Sequence, residues 1–325
     1  MQAKRIAVID LGTNTFNLLV AEWTGERKPK ILHRSKYPTK IGKGGITKHK
    51  ITEKAILRAR HAFEEITCIT KEFEVSQYLA YATSAIRSAE NGAEFVQIIE
   101  QEFHIEVDII SGDREAELIY TGTRNALELN HEPIAILDIG GGSNEIIIAN
   151  NEKIFWEKSY PLGMTRLLEQ FVPSDPILKT ELLSIEAYLK EQLYDLFDAL
   201  ELHNVKTLIG SSGSFDTLKQ ILIAGGQPLN GSPDTQFEIK LKDFFRLHQN
   251  FLASTLEERK AMPGMDPVRV ELMVIASIFI HYLVKDAGFS KLYQSSFALK
   301  EGALFDYIEQ HINTDTQNNS IEVKK

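Results

Sequence analysis

Two short stretches constrain this chain more than anything else in it. Ile134-Ala-Ile-Leu-Asp138-Ile-Gly140-Gly141-Gly142-Ser143-Asn144-Glu145-Ile-Ile-Ile148 reads as an apolar strand that ends on a carboxylate, turns through three glycines and leaves as a second apolar strand. A weaker copy lies 128 residues earlier, Ile6-Ala-Val-Ile-Asp10-Leu-Gly12-Thr13-Asn14-Thr15-Phe-Asn17-Leu-Leu-Val20. Adjacent glycines let a backbone adopt positive φ and approach a ligand closely, with N–H groups turned toward an anion. Gly12, Thr13 and Asn14 in one copy and Gly140 to Ser143 in the other are therefore candidate phosphate-binding positions. Asp138, Glu145 and the counterpart Asp10 are acceptor-only hard oxygen groups, the kind that Mg²⁺ takes one or two at a time beside phosphates and water. Either copy alone reads equally well as a plain hairpin turn. Repetition of Asp-(Leu/Ile)-Gly at a strand end makes coincidence a poor account of both. Neither copy carries the Walker lysine, and neither is Gly-x-Gly-x-x-Gly opening a helix.

A chain of 325 residues, 43% apolar and 25% charged, has room for two domains with separate cores. The expected boundaries are 1–126 and 127–312, with the last helix, about 299–311, packing back on the first domain and a polar, disordered tail from 313 to 325. A net charge of −9 argues against loose nucleic-acid binding, which rests on phosphate neutralisation. The longest apolar run, Leu272 to Val284, contains Ser277 and His281 and is too short to span a bilayer, and the N-terminus does not read as a signal peptide. The single cysteine, Cys68, excludes an internal disulfide and fits a reducing cytoplasm, and it reads as a core residue on a helix. No membrane partner is expected, and the sequence leaves a homodimer open.

Lys36 to Lys50 holds five lysines and His49, with no acidic residue and three glycines. In an acidic chain this loop reads either as an electrostatic funnel for a polyanion or as a solvated surface loop. Thr52 is placed to cap a helix with Ala59, Phe63 and Ile66 on one face. A strand from Gln77 to Ala82 delivers Arg87 just beyond its C-terminal end, where ligands sit in open α/β sheets. Another strand, Val107 to Ile110, precedes Glu115, which on the residues alone reads as a helix-dipole partner ahead of a catalytic carboxylate. Leu162 to Arg166 opens a helix, Ser174 is expected to cap a long one through Leu196, and Val205 to Ile209 is a strand. The Gly/Ser turn after it, with Ser212, Gly213 and Ser214, offers N–H donors at a helix N-terminus. Gly225 to Asp234 reads as a loop, and His281 as a satisfied core histidine. No Cys/His metal cluster and no Gly-x-Ser-x-Gly elbow is present, so activated water is the chemistry that remains.

Asp10-Leu-Gly-Thr-Asn-Thr, Ala82-Thr-Ser-Ala-Ile-Arg87, Ile110-Ser-Gly-Asp-Arg-Glu115-Ala and Asp138-Ile-Gly-Gly-Gly-Ser-Asn-Glu145, in that order, resemble the exopolyphosphatase/guanosine pentaphosphate phosphohydrolase (Ppx/GppA) family. The likeness continues through Leu162-Gly163, Gly213-Ser214, Pro263-Gly264 with Arg269, and Leu299-Lys300-Glu301-Gly302. It implies an α/β fold of two ribonuclease-H-like domains, of the actin/sugar-kinase/heat-shock-ATPase type, with the active site in a cleft between them. It also implies hydrolysis of terminal phosphoanhydrides in inorganic polyphosphate or guanosine pentaphosphate (pppGpp), dependent on Mg²⁺ or Mn²⁺. By the same resemblance Glu115 is the general base, Arg87 holds the terminal phosphate, and Asp138 and Glu145 accompany the metal. Lys300 departs from the arginine common at its position. Longer relatives carry a C-terminal helical region that this sequence lacks, so strong processivity on long chains is not expected. A (p)ppGpp-binding sensor and an ATP-using kinase of the same superfamily are the competing classes.

Overall fold

The computed structural model of the chain describes residues 3–229 and 235–322, with side chains as far as residue 312. By its contacts the chain divides into Met1–Asn125 together with Leu299–Lys325, and Ala126–Ala298.

The first unit is built on β1 (Lys4–Leu11), β2 (Phe16–Trp23), β3 (Lys30–Tyr37), β4 (Gln77–Ala82) and β5 (Asp108–Ile109). Their order is β3-β2-β1-β4-β5, with the first three antiparallel and β4 and β5 running parallel to β1. Ile6, Ala7, Val8 and Ile9 are all fully buried, so β1 is covered on both faces. That is why its sequence runs apolar instead of alternating. Helix α1 (Glu53–Glu72) starts where Thr52 Oγ accepts the Ala55 N–H at 3.3 Å. It buries Ala55, Ala59, Phe63 and Ile66, with Phe63 edge-on to Phe16 at 5.9 Å between ring centroids. Cys68 is exposed on this helix, not in the core. It lies two residues past Ile66, roughly 200° around the helix from the buried stripe. Helices α2 (Ser84–Arg87), α3 (Gly92–Phe103) and α4 (Gly112–Ala126) follow.

The second unit repeats the plan. Strands β6 (Ile134–Ile139), β7 (Asn144–Ala149), β8 (Ile154–Tyr160), β9 (Thr207–Ser211), β10 (Gln236–Glu238) and β11 (Lys291–Ser295) pair in the order β10-β11-β9-β6-β7-β8. Read from β8 inward, this is the first unit's order and strand sense, with β10 added antiparallel at the edge. Its helices are α5 (Met164–Phe171), α6 (Lys179–Gln192), α7 (Tyr194–Leu202), α8 (Ser212–Ala224), α9 (Leu241–Ala253), α10 (Leu256–Lys260) and α11 (Met273–Asp286). Each unit has its own apolar cluster. Ser174 does not begin a helix, because Pro176 disfavours helical backbone at the residue before it. Instead the Ser174 N–H and hydroxyl donate to Glu181, whose carboxylate also takes the Leu178 N–H where α6 starts. The long helix expected there is two, breaking at Leu193.

The last helix, α12 (Leu299–Glu322), belongs to the first unit and is helical through residues read as a disordered tail. Residues 230–234, read as loop, and 323–325 lie outside the described residues. Gly302 sits so close to α4 that a Cβ there would lie 1.7 Å from the Leu118 carbonyl oxygen.

His281 is not the satisfied core histidine expected. Among the described residues its Nδ1 has no hydrogen-bond partner, and its ring stacks on His248 at 4.2 Å. His248 is buried on α9 and meets Ser277 Oγ through Nδ1 at 3.1 Å. Burial, and then the neighbouring His281, push its pKa down to about 3. A histidine depressed in the folded state binds fewer protons than in the unfolded chain, so its contribution is intact above about pH 6.5 and is lost as pH falls toward 3. At about 1.4 kcal/mol per unit, the loss reaches roughly 4–5 kcal/mol at the acid end. Denaturant titrations across pH 3–7 are expected to show a shallower acid limb for His248→Gln than for the wild type; parallel limbs would remove this assignment.

Candidate functional site

In the first unit, the β1–β2 turn follows directly from the pairing register. Asp10 faces Asn17 across the hairpin, and the Asn17 amide donates to Asp10 Oδ2 at 2.9 Å. The turn carbonyls of Thr13 and Asn14 accept N–H groups of Gly42 and Lys40 at 3.2 and 2.8 Å. Beside it, β4 runs parallel to β1 and ends at Ala82, and the single turn α2 then presents Arg87. Arg87 Nη1 donates to the Ile110 carbonyl at 2.9 Å and to Glu115 Oε2 at 2.8 Å. Glu115 sits in the first turn of α4, which Ser111 caps by accepting the Arg114 N–H on its hydroxyl at 3.1 Å. Glu115 is 7% exposed, and the Arg87 side chain retains about a quarter of its exposure. Such a pair is a short charge-assisted contact at the edge of solvent, with one group able to bind a phosphate oxygen and the other able to accept a proton.

In the second unit the matching register pair is Asp138 and Glu145. Both are buried, and both are oriented by hydroxyls. Ser211 and Ser212 donate to Asp138 Oδ2 at 2.8 and 2.6 Å, while Ser143 and Ser159 donate to Glu145 Oε1 at 2.6 and 2.7 Å. Ser212 adopts φ 66, an uncommon conformation for a residue with a side chain and one that clusters at functional sites. The third Gly/Ser turn thus supplies hydroxyls to Asp138 as it opens α8. None of Gly12, Gly140, Gly141 and Gly142 takes positive φ. The glycines of the second turn serve close approach instead. The start of α5 lies on that turn, with the N–H groups of Met164 and Thr165 bonded to the Gly140 and Gly141 carbonyls at 2.9 Å each. A Cβ on Gly163 would come within 2.4 Å of the Gly141 and Gly142 backbone.

Two guanidinium groups complete this region, and sequence reasoning gave neither a role. Arg269 packs over Gly213, where a Cβ would lie 2.2 Å from its Nε, and approaches Ser214 Oγ at 3.4 Å. Burial lowers its pKa, opposed by Asp216, Asp266 and Asp138, so it belongs to the electrostatic environment of Asp138. Arg166 Nε donates to the Gly142 carbonyl at 3.2 Å, and burial lowers its pKa too. No local spacing announces Arg269, which comes from a turn 55 residues past Ser214.

Among the described residues no group of three or more His, Cys, Asp or Glu side chains is gathered as a metal cage. Mg²⁺ needs no such cage, since it usually keeps several waters and takes one or two carboxylates with substrate phosphates. Asp138 and Glu145, facing each other in register and fixed by hydroxyls, fit that requirement.

The protein-family model for the Ppx/GppA phosphatase family matches residues 19–311. The chain belongs to this family. The crystal structure of an exopolyphosphatase from Cytophaga hutchinsonii is 36% identical, with a TM-score of 0.90 over 94% of this chain and 98% of that one. Exopolyphosphatase 2 of Mycobacterium tuberculosis is 25% identical over 93% of this chain and 98% of its own length. A Ppx/GppA family member from Aquifex aeolicus, 23% identical with a TM-score of 0.77 over 95% of this chain and 99% of that one, shares the fold. With the same β-order repeated in both, the two units are accordingly ribonuclease-H-like, of the actin-like type, and the family is one of phosphatases.

Proposed function

We propose that this Ppx/GppA protein releases the terminal phosphate of inorganic polyphosphate by in-line attack of water, with Mg²⁺ or Mn²⁺ as cofactor. The observation that carries this reading is the Arg87–Glu115 pair at 2.8 Å. Phosphoryl transfer asks the protein for positioning and charge compensation more than for covalent chemistry. Arg87 exchanges its carboxylate partner for the terminal phosphoryl oxygens, and Glu115, released from that contact, accepts the proton of the attacking water. In the first unit the backbone N–H groups of Gly12 to Asn14 are donors for phosphate oxygens; in the second unit those of Gly140 to Ser143 are, with Arg269 offsetting negative charge near Asp138. Asp138 and Glu145, in the second unit, would hold the metal, which would supply Lewis-acid charge neutralisation when bound. Conversion of pppGpp to ppGpp uses the same chemistry, and the exopolyphosphatase relatives favour polyphosphate over it.

Phosphate release from polyphosphate, pppGpp and ATP, measured side by side with and without divalent metal, tests this reading. Metal-dependent release from polyphosphate is expected, and release from ATP alone would reject it. Asp138→Ala is expected to raise the metal concentration for half-maximal rate by about 10–100-fold. A metal titration superimposable on the wild type would take Asp138 out of that role.

A further inference from the structure

The lysine-rich segment from Lys36 to Lys50 is fastened at both ends to parts of the candidate site, all within the first unit. At one end the Lys40 and Gly42 N–H groups bond the Asn14 and Thr13 carbonyls, and a Cβ on Gly42 would lie 2.6 Å from Thr13 Cγ2. Arg58 of α1 braces this end from behind, donating to the Thr39 and Lys40 carbonyls at 2.5 and 2.8 Å. At the other end His49 Nδ1 donates to the Ser88 carbonyl at 3.1 Å, and the Glu90 N–H bonds the His49 carbonyl at 2.8 Å. Asn91 then takes both backbone groups of Ile51, at 2.8 and 3.0 Å. Ser88 is the residue after Arg87. The segment therefore runs from the first glycine turn to the turn that carries the arginine.

It is also held in shape. Lys40 and His49 adopt φ 46 and 50, and a Cβ on Gly45 would lie 2.0 Å from the Lys50 carbonyl oxygen, so the loop closes on itself. Residues with side chains persist in the left-handed region only where their surroundings fix them. Lys43, Lys48, His49 and Lys50 are exposed on this frame, and no acidic residue falls between Lys36 and Lys50. A solvated surface loop in a chain of net charge −9 has no need of such anchoring or of such one-sided charge.

We infer that this loop is a second anion subsite, binding the inner phosphates of a linear polyanion whose terminal phosphate is held at Arg87, and that Lys43, Lys48 and Lys50 set a preference for long chains over short ones. The inference rests on the proposed function and deepens it by naming the substrate's length class. Ammonium groups on flexible stems suit a repeating phosphate chain, which offers the same charge in every register and demands no bidentate geometry. Association with a linear polyanion releases condensed counterions, so its affinity falls with salt in proportion to the phosphates neutralised.

The test compares kcat/KM on long-chain polyphosphate with that on tripolyphosphate, for the wild type and for the combined variant Lys43→Gln, Lys48→Gln, Lys50→Gln. The long-to-short ratio is expected to fall at least about tenfold, and the log–log salt slope of long-chain binding to shrink by about 2–3. The combined Lys→Arg variant is expected to restore the ratio, since it keeps the charge. An unchanged ratio in an active triple variant overturns the subsite. Equilibrium binding of long-chain polyphosphate to Glu115→Gln, with and without the lysine changes, separates this from failure of the hydrolase reading. Lysine-dependent binding in a protein whose wild type releases no phosphate supports the subsite while rejecting hydrolysis, and lysine-independent binding rejects the subsite whatever the turnover.

Discussion

Glu115→Gln is expected to lower phosphate release by about 10²–10⁴-fold, the range that a positioned general base contributes, while the protein stays folded. Glutamine matches glutamate in size and keeps an oxygen that can accept the Arg87 N–H now made at 2.8 Å. What it loses is the ability to take a proton from water at neutral pH. Glu115 is nearly buried at the start of a helix whose first turn is already capped by Ser111. Its replacement therefore disturbs the chemistry more than the frame. Initial rates with polyphosphate, set beside thermal unfolding of the same preparation, give the answer. A variant that unfolds like the wild type and turns over at its rate would remove Glu115 from the mechanism.

Gly302→Val is expected to destabilise the first unit by about 1–3 kcal/mol or more, the usual cost of forcing atoms into filled space. The reason is geometric. A Cβ at this position would lie 1.7 Å from the Leu118 carbonyl oxygen and 2.9 Å from the Gly122 nitrogen, both on the backbone of α4, so no rotamer relieves the clash. Helix α12 would have to withdraw from α4, whose first turn carries Glu115. The contact is reinforced on either side, where Arg114 pairs with Asp306 and Arg124 with Glu309 at 2.9 Å. Activity is expected to fall with stability, and denaturant titration reads the loss. A variant as stable as the wild type would show that α12 does not hold α4.

The hairpins were readable because each is written locally. An apolar run, a carboxylate, a glycine turn and a second apolar run suffice, and the register pairs Asp10 with Asn17 and Asp138 with Glu145 at matching positions. Arg87 and Glu115 were each placed at a strand end by the pattern of their own segment, but only the resemblance gave Glu115 a chemical role over a helix-dipole one. The hydroxyl network around Asp138 was not legible, because Ser211 and Ser212 arrive more than 70 residues later through the β6–β9 pairing. Arg269 stood in the resemblance without a role for the same reason. Ser174 and Cys68 misled for opposite reasons. One has the side chain of a cap but precedes a proline that delays the helix, and the other is apolar enough for a core yet falls on the wrong side of its helix. His281 looked apolar by its neighbours, and nothing local announced the stacked imidazole at 4.2 Å.

The first unit is discontinuous, closing only when Leu299 onward joins residues 1–125. A ribosome therefore releases the whole of Ala126–Ala298 before the N-terminal half can be finished, although domains usually mature in the order of synthesis. The nascent N-terminal half must wait, with the α4 surface around Leu118 uncovered, for a helix made after the whole of the second unit. Shortening the chain from its far end would accordingly strike the beginning of the protein, and the loss would fall on the helix that carries Glu115.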